Sequence, residues 1–189
     1  MSPYDAFRAR EQSLEEAYFR KKDAELVEKL RKVFETKRTK EELRKLTGIT
    51  SEEVLDQLVS LEISGELLSA FRLYPLVEMA WADGAFDTKE ARAVLNAAAQ
   101  MGVPKDSQVM QRLEYWLHNG PREDARAAWR AYASELRKTL SPKELAEFRE
   151  DLLKHAKEIS EASGGILGMF FQVSPQEHRV IEEIRKALT

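Results

Sequence analysis

The sequence predicts an all-α protein, a multi-helix bundle preceded by a long charged helix. Three observations carry that prediction. Ala, Leu, Glu, Lys and Arg, the strong helix formers, dominate the 189 residues. The 8 Gly and 6 Pro fall between periodic segments rather than inside them. No stretch alternates apolar and polar residues for long enough to make a half-buried strand.

Helix starts recur as capping boxes, in which a first side chain accepts from an orphan amide and a Glu three residues on reaches back. Thr39-Lys-Glu-Glu42, Thr50-Ser-Glu-Glu53, Asp87-Thr-Lys-Glu90, Ser141-Pro-Lys-Glu144 and Ser174-Pro-Gln-Glu177 fit the pattern. In the last two, proline takes the first helical position, where its missing N–H costs nothing. With Gly48, Gly65, Gly84, Gly102, Gly120 and Gly164-Gly165 as stops, the chain divides into about nine helices.

The first helix is expected over residues 3–36 and is the longest and most charged. Glu16 with Arg20, Glu25 with Lys29 and Glu28 with Lys32 are acid-before-base pairs four apart, each adding a few tenths of a kcal/mol to an isolated helix. Two short helices follow as a connector over residues 37–65. The second displays Val54, Leu55, Leu58, Val59 and Leu61, a face that demands burial. The body is expected over residues 66–189. Its first hairpin, "LLSAFRLYPLVEMAWADGAFDTKEARAVLNAAAQMGV", turns at Asp83-Gly84. Leu113, Trp116 and Leu117, then Trp129, Tyr132 and Leu136, mark the core faces of the next two helices.

The ending reads as a second copy of that hairpin. Ala82-Asp83-Gly84 aligns with Ala162-Ser163-Gly164, and Phe86-Asp87-Thr88-Lys89-Glu90 aligns with Val173-Ser174-Pro175-Gln176-Glu177. The second loop is longer and contains the apolar "GGILGMFF". That stretch reads as a loop folded over the end of the core, with a peripheral membrane or partner contact as the alternative.

Composition excludes several function classes. There is no cysteine, hence no disulfide, thiolate chemistry or Cys-containing zinc site. Lys+Arg and Asp+Glu nearly balance, at 30 against 33, and no basic block stands apart, so no nucleic-acid partner is expected. No signal-peptide core and no transmembrane-length apolar run is present, so a soluble, cytoplasmic protein is expected. Metalloprotease, phosphate-loop, dinucleotide-turn and nucleophile-elbow motifs are all missing, and a non-enzyme is expected. His118 reads as a helix C-terminal residue; His155 and His178 read as surface residues.

The acidic turn "ADGAFDTKE" is the candidate metal site. Asp83, Asp87 and Glu90 flank a helix end and restart, and converging carboxylates would take a divalent cation through oxygen ligands. The competing reading makes Asp87 and Glu90 a capping box and Asp83 a turn residue. The segment from Leu76 to Gln100 resembles the tellurite-resistance TerB-like superfamily of helical domains, and "EASGGILGMFFQVSPQEHRVIEEI" resembles the second half of such a domain. The resemblance spans most of residues 66–189. It implies metal binding at acidic residues around the paired turns and a membrane-linked stress response. Asp83, Glu90 and Glu177 match, whereas Ser163 stands where the second turn often carries an acid.

The first helix carries a second resemblance. "AFRAREQSLEEAYFR", residues 6–20, is similar to the inhibitory segment of the mitochondrial ATPase inhibitor family, which blocks ATP hydrolysis by rotary F-type ATP synthases. The Phe-x-x-Arg-Glu start at Phe7, Arg10 and Glu11 and the Glu-Glu-x-Tyr-Phe-Arg end through Glu16, Tyr18 and Phe19 carry it. Leu14 and Ala17 depart from commonly charged positions, and the His-containing coiled-coil continuation is replaced by the helical body. The resemblance implies a partner-binding helix, with an F-type ATPase or a second copy of the chain as partner. Phe7, Tyr18 and Phe19 would anchor it, and Arg10, Glu11 and Glu16 would orient it.

Overall fold

A computed structural model describes the backbone of residues 3–163 and 173–189, and the side chains of residues 21–22, 24–162 and 173–189. Every regular element among them is an α-helix. The order is α1 Pro3–Thr47, α2 Glu52–Ser60, α3 Leu68–Arg72, α4 Tyr74–Met79, α5 Thr88–Gln100, α6 Gln108–Asn119, α7 Glu123–Thr139, α8 Pro142–Ser163 and α9 Pro175–Ala187. The chain forms two compact units, Met1–Glu41 and Glu42–Thr189.

α1 runs past the expected stop at residue 36. Nothing in Thr36-Lys-Arg-Thr39 breaks a helix, so Thr39 does not cap a new one. Its hydroxyl donates to the carbonyl of Glu35 at 2.9 Å, the way a mid-helix threonine satisfies itself. In the described part of the first unit, Arg31 pairs with Glu28 at 3.1 Å and Glu35 at 3.8 Å. These exposed pairs each contribute only tenths of a kcal/mol. The helix ends at Gly48, whose φ of 73° is the left-handed turn that glycine adopts without strain.

The second unit is built on one continuous apolar core. The end of α1 enters it through Leu43, and Ile49, Leu55, Leu58 and Ile63 join with essentially no exposure. The N-cap of α2 is Ser51, one residue later than expected, and its hydroxyl accepts from Val54 N–H at 3.4 Å. The stretch expected as one helix before the acidic turn is two, α3 and α4, separated at Leu73. Pro75 explains the break, because it lacks the N–H that would bond back into α3. The kink sends Phe71 and Tyr74 into an aromatic cluster with Trp116 and Tyr132, with ring centroids 5.2–6.4 Å apart. Tyr74 also donates its hydroxyl to Arg122 O at 3.2 Å and accepts from Arg122 N–H at 2.7 Å.

α8 packs against α4, α5 and α9, and α4 also packs against α9. The proposed repeat therefore sits side by side in the core. α5 and α9 are both 13 residues long; at the offset that aligns Glu90 with Glu177, Ala97 and Ile184 are both buried, whereas Val94 is buried and its counterpart Ile181 is half-buried. The first arms differ, since α8 is an unbroken 22-residue helix where the first copy has the α3–α4 break. Trp116 and Trp129 are core residues, and Trp81 is half-buried with its Nε1 donating to Leu117 O at 2.9 Å. No helix among the described residues is long and apolar enough to cross a membrane.

α9 opens with a complete capping box. Ser174 Oγ accepts from Glu177 N–H at 3.1 Å, and Glu177 Oε2 accepts from Ser174 N–H at 2.6 Å. Replacing Ser174 with alanine is expected to cost about 1 kcal/mol, read as a lower urea midpoint with unchanged slope. An unchanged midpoint would mean that the box does not hold α9 in place.

Candidate functional site

The acidic turn is spent largely on its own backbone. Asp83 is exposed and its Oδ1 accepts from Ala85 N–H at 2.9 Å, closing a side-chain turn around Gly84, whose φ is 83°. Asp87 is the N-cap of α5, accepting from Lys89 N–H at 2.6 Å. Glu90 is buried at the start of α5. Glu177 is buried at the start of α9 and belongs to the capping box. Among the described residues, no three His, Asp or Glu side chains are grouped so that they could hold a metal ion. The Asp83, Asp87, Glu90 and Glu177 carboxylates are thus not gathered into such a group.

Beside that turn lies a short aromatic row. Phe86, 40% exposed, stands 6.0 Å from the Trp81 ring and 5.3 Å from the His118 ring. His118 is exposed at the end of α6 as expected, and His178 is exposed on α9. His155 corrects the expectation: it is buried in α8, and its Nδ1 lies 2.9 Å from Glu158 Oε2. The neighbouring charges that suggested a surface position lie on other faces of that helix, and Glu158 is one turn on, where it reaches the ring.

The sequence reading missed Glu78 altogether. It is 8% exposed, with Arg126 Nε 3.4 Å away, and Arg126 also holds Glu123 at 2.8 Å. Arg130 pairs with Glu183 of α9 at 2.8 Å nearby. A cavity of about 10 Å³ is lined by Glu78, Arg126, Arg130, Glu183 and Trp129 among others. The Trp129 Nε1 is buried without a hydrogen-bond partner. Burial pushes the Glu78 carboxyl up to about 7; the Arg126 charge opposes that rise and Glu183 adds to it. The only sequence signal was an acid inside the apolar run "LYPLVEMAWA". A wider cleft of about 820 Å³ is lined by Glu62, Gln108, Gln111, Arg112 and Tyr115, and Arg112 lies 3.7 Å from Glu62. None of its lining residues is a nucleophile set beside a base.

The candidate partner-binding residues Phe7, Arg10, Glu11, Glu16, Tyr18 and Phe19 have helical backbone within α1, but their side chains lie outside the described residues. The apolar stretch "GGILGMFF" also lies outside them. In the described part of the first unit the apolar side chains are left uncovered. Leu26, Val27, Leu30, Val33 and Phe34 are 50–68% exposed. All the core residues, by contrast, lie at Leu43 or beyond. In comparison with known proteins, no family model, no curated protein and no solved structure matches the chain.

Proposed function

We propose that the protein is a non-enzymatic regulatory or interaction protein that binds a partner through the N-terminal part of α1. The observation that supports this reading is the core itself. Among the described residues it closes from Leu43 onward and uses none of the apolar side chains of residues 21–41. A helical segment whose described apolar side chains are left out of the core has them available for a groove elsewhere, the common helix-in-groove mode of recognition.

The inhibitor-like stretch, residues 6–20, makes a rotary F-type ATPase the partner of choice. Phe7, Tyr18 and Phe19 are the anchors, because aromatics dominate binding energy at desolvated contacts. Arg10, Glu11 and Glu16 set register and orientation through charge. ATP hydrolysis by the isolated cognate F-type ATPase is expected to fall when the protein is added. A Tyr18→Ala/Phe19→Ala variant should need on the order of a hundredfold more protein for the same inhibition, the equivalent of two lost anchors. No inhibition at saturating protein, or equal inhibition by the variant, would rule the ATPase out as partner.

A further inference from the structure

We propose that a second part of α1, the face formed by Leu26, Val27, Leu30, Val33 and Phe34, is a contact for an anionic lipid surface. At about 100° per residue these five side chains fall within roughly one third of the helix circumference, over a little more than two turns. Single exposed aliphatics are ordinary, but five side by side, each at least half exposed, form a patch that calls for a cover.

The charges around the patch identify the cover. On the same wheel, Lys22 and Lys29 border one edge and Arg31 and Arg38 the other, with Lys37 in line beyond Phe34. Of the acids of this stretch, Glu25, Glu28 and Glu35 fall on the opposite side with Lys21 and Lys32, while Asp23 and Glu41 stand in line with the apolar face, beyond its two ends. From residue 21 to 41 there are eight Lys and Arg against five Asp and Glu, whereas the whole chain has 30 against 33. Arg31 is partly neutralised by Glu28 and Glu35, yet those pairs hold it on its edge rather than removing it.

A second copy of the chain suits this face poorly. Pairing apolar face to apolar face sets lysines and arginines of one helix beside those of the other, in either orientation, and like charges across a helix seam repel. A flat anionic surface meets both edges at once. The aliphatics enter the headgroup boundary, the stems of the bordering Lys and Arg run along it with their cations among the lipid phosphates, and Glu25, Glu28 and Glu35 face water. From Lys22 to Arg38 the contact spans about 24 Å of helix. An acidic-rimmed protein groove would have to supply two parallel acidic walls over that length.

The test is co-sedimentation of the full chain with phosphatidylcholine vesicles, with and without phosphatidylserine at about one lipid in three. Binding is expected only with phosphatidylserine and should weaken steeply as salt is raised. Leu30→Asp/Phe34→Asp and, separately, Lys29→Glu/Lys37→Glu/Arg38→Glu should each weaken it about a hundredfold or more. All these positions are exposed, so far-ultraviolet circular dichroism should confirm that both variants keep their helix. Equal binding to neutral vesicles would overturn the proposal, as would no binding to either kind. A sedimenting dimer that dissociates in Leu30→Asp/Phe34→Asp would assign the face to a second copy. Loss of ATPase inhibition in that variant without vesicle binding by the parent protein would assign it to a protein groove. The Tyr18→Ala/Phe19→Ala variant should keep vesicle binding, which separates this contact from the ATPase reading.

Discussion

Replacing Phe71 with alanine is expected to cost about 3–5 kcal/mol, a large part of the stability of a domain this size. Phe71 has no exposed surface and lies at the centre of the aromatic cluster, 5.8 Å from Tyr132, 6.0 Å from Tyr74 and 6.4 Å from Trp116. Those three rings come from α4, α6 and α7, so no single element can move in to fill the space. Tyr74 is further held by its two hydrogen bonds to Arg122, which blocks collapse from that side. The cavity therefore persists and adds its cost to the lost transfer energy. Phe71→Leu keeps most of the volume and should cost less than half as much. Urea unfolding would show the difference as a shift in midpoint at constant slope. A loss below about 1 kcal/mol for Phe71→Ala would mean that the cluster relaxes and is not the keystone of α3.

The parts of this fold legible in the sequence are those set by local chemistry. Ser141 and Ser174 sit outside a helix and precede proline, so their hydroxyls meet orphan amides, at 3.3 Å to Glu144 N–H and 3.1 Å to Glu177 N–H. Thr39 has the same spacing to Glu42 but has helix on both sides. A capping motif acts only where the backbone has already left the helix, and spacing alone does not say where that is. The opposite error lies at Leu73, where Pro75 splits a segment whose apolar pattern runs straight through. Among the described residues these two differences cancel in the number of helices, so a matching count hides a different division of the chain.

The candidate sites follow the same rule. The turn chemistry of Asp83 and Asp87 was legible because each bonds to an amide two residues on, at 2.9 Å and 2.6 Å. The burial of His155 was not, because it depends on which face of a 22-residue helix meets the core. The exposed stripe at residues 26–34 poses the reverse difficulty. Its pattern is that of a core-facing helix, and only the positions of Leu43, Ile49 and Leu55 reveal that the core begins later.

Glu78→Gln is expected to remove a pH dependence of stability worth about 3 kcal/mol. The Glu78 carboxyl is raised in the folded protein to about 7 from an ordinary value of 4.5. Burial is the first cause, and Arg126 at 3.4 Å only partly offsets it. A carboxyl raised on folding favours the native state while it is protonated. Its contribution is present in full below the ordinary value, declines as pH rises, and is lost once pH passes about 7. At 1.36 kcal/mol per unit, the interval amounts to about 3 kcal/mol. Glutamine has the same shape and never ionises. The variant's stability relative to the parent should therefore climb by about that amount between pH 4 and pH 8. Other groups facing this site do not confound the comparison, because Arg126, Arg130, Glu183 and Tyr74 are present in both proteins. Arg126 is one third exposed and retains Glu123 at 2.8 Å, so removing the Glu78 charge does not strand a buried cation. Urea midpoints of both proteins across that range would decide the matter. Parallel curves would mean that Arg126 fully compensates the buried charge and that Glu78 titrates as an ordinary carboxyl.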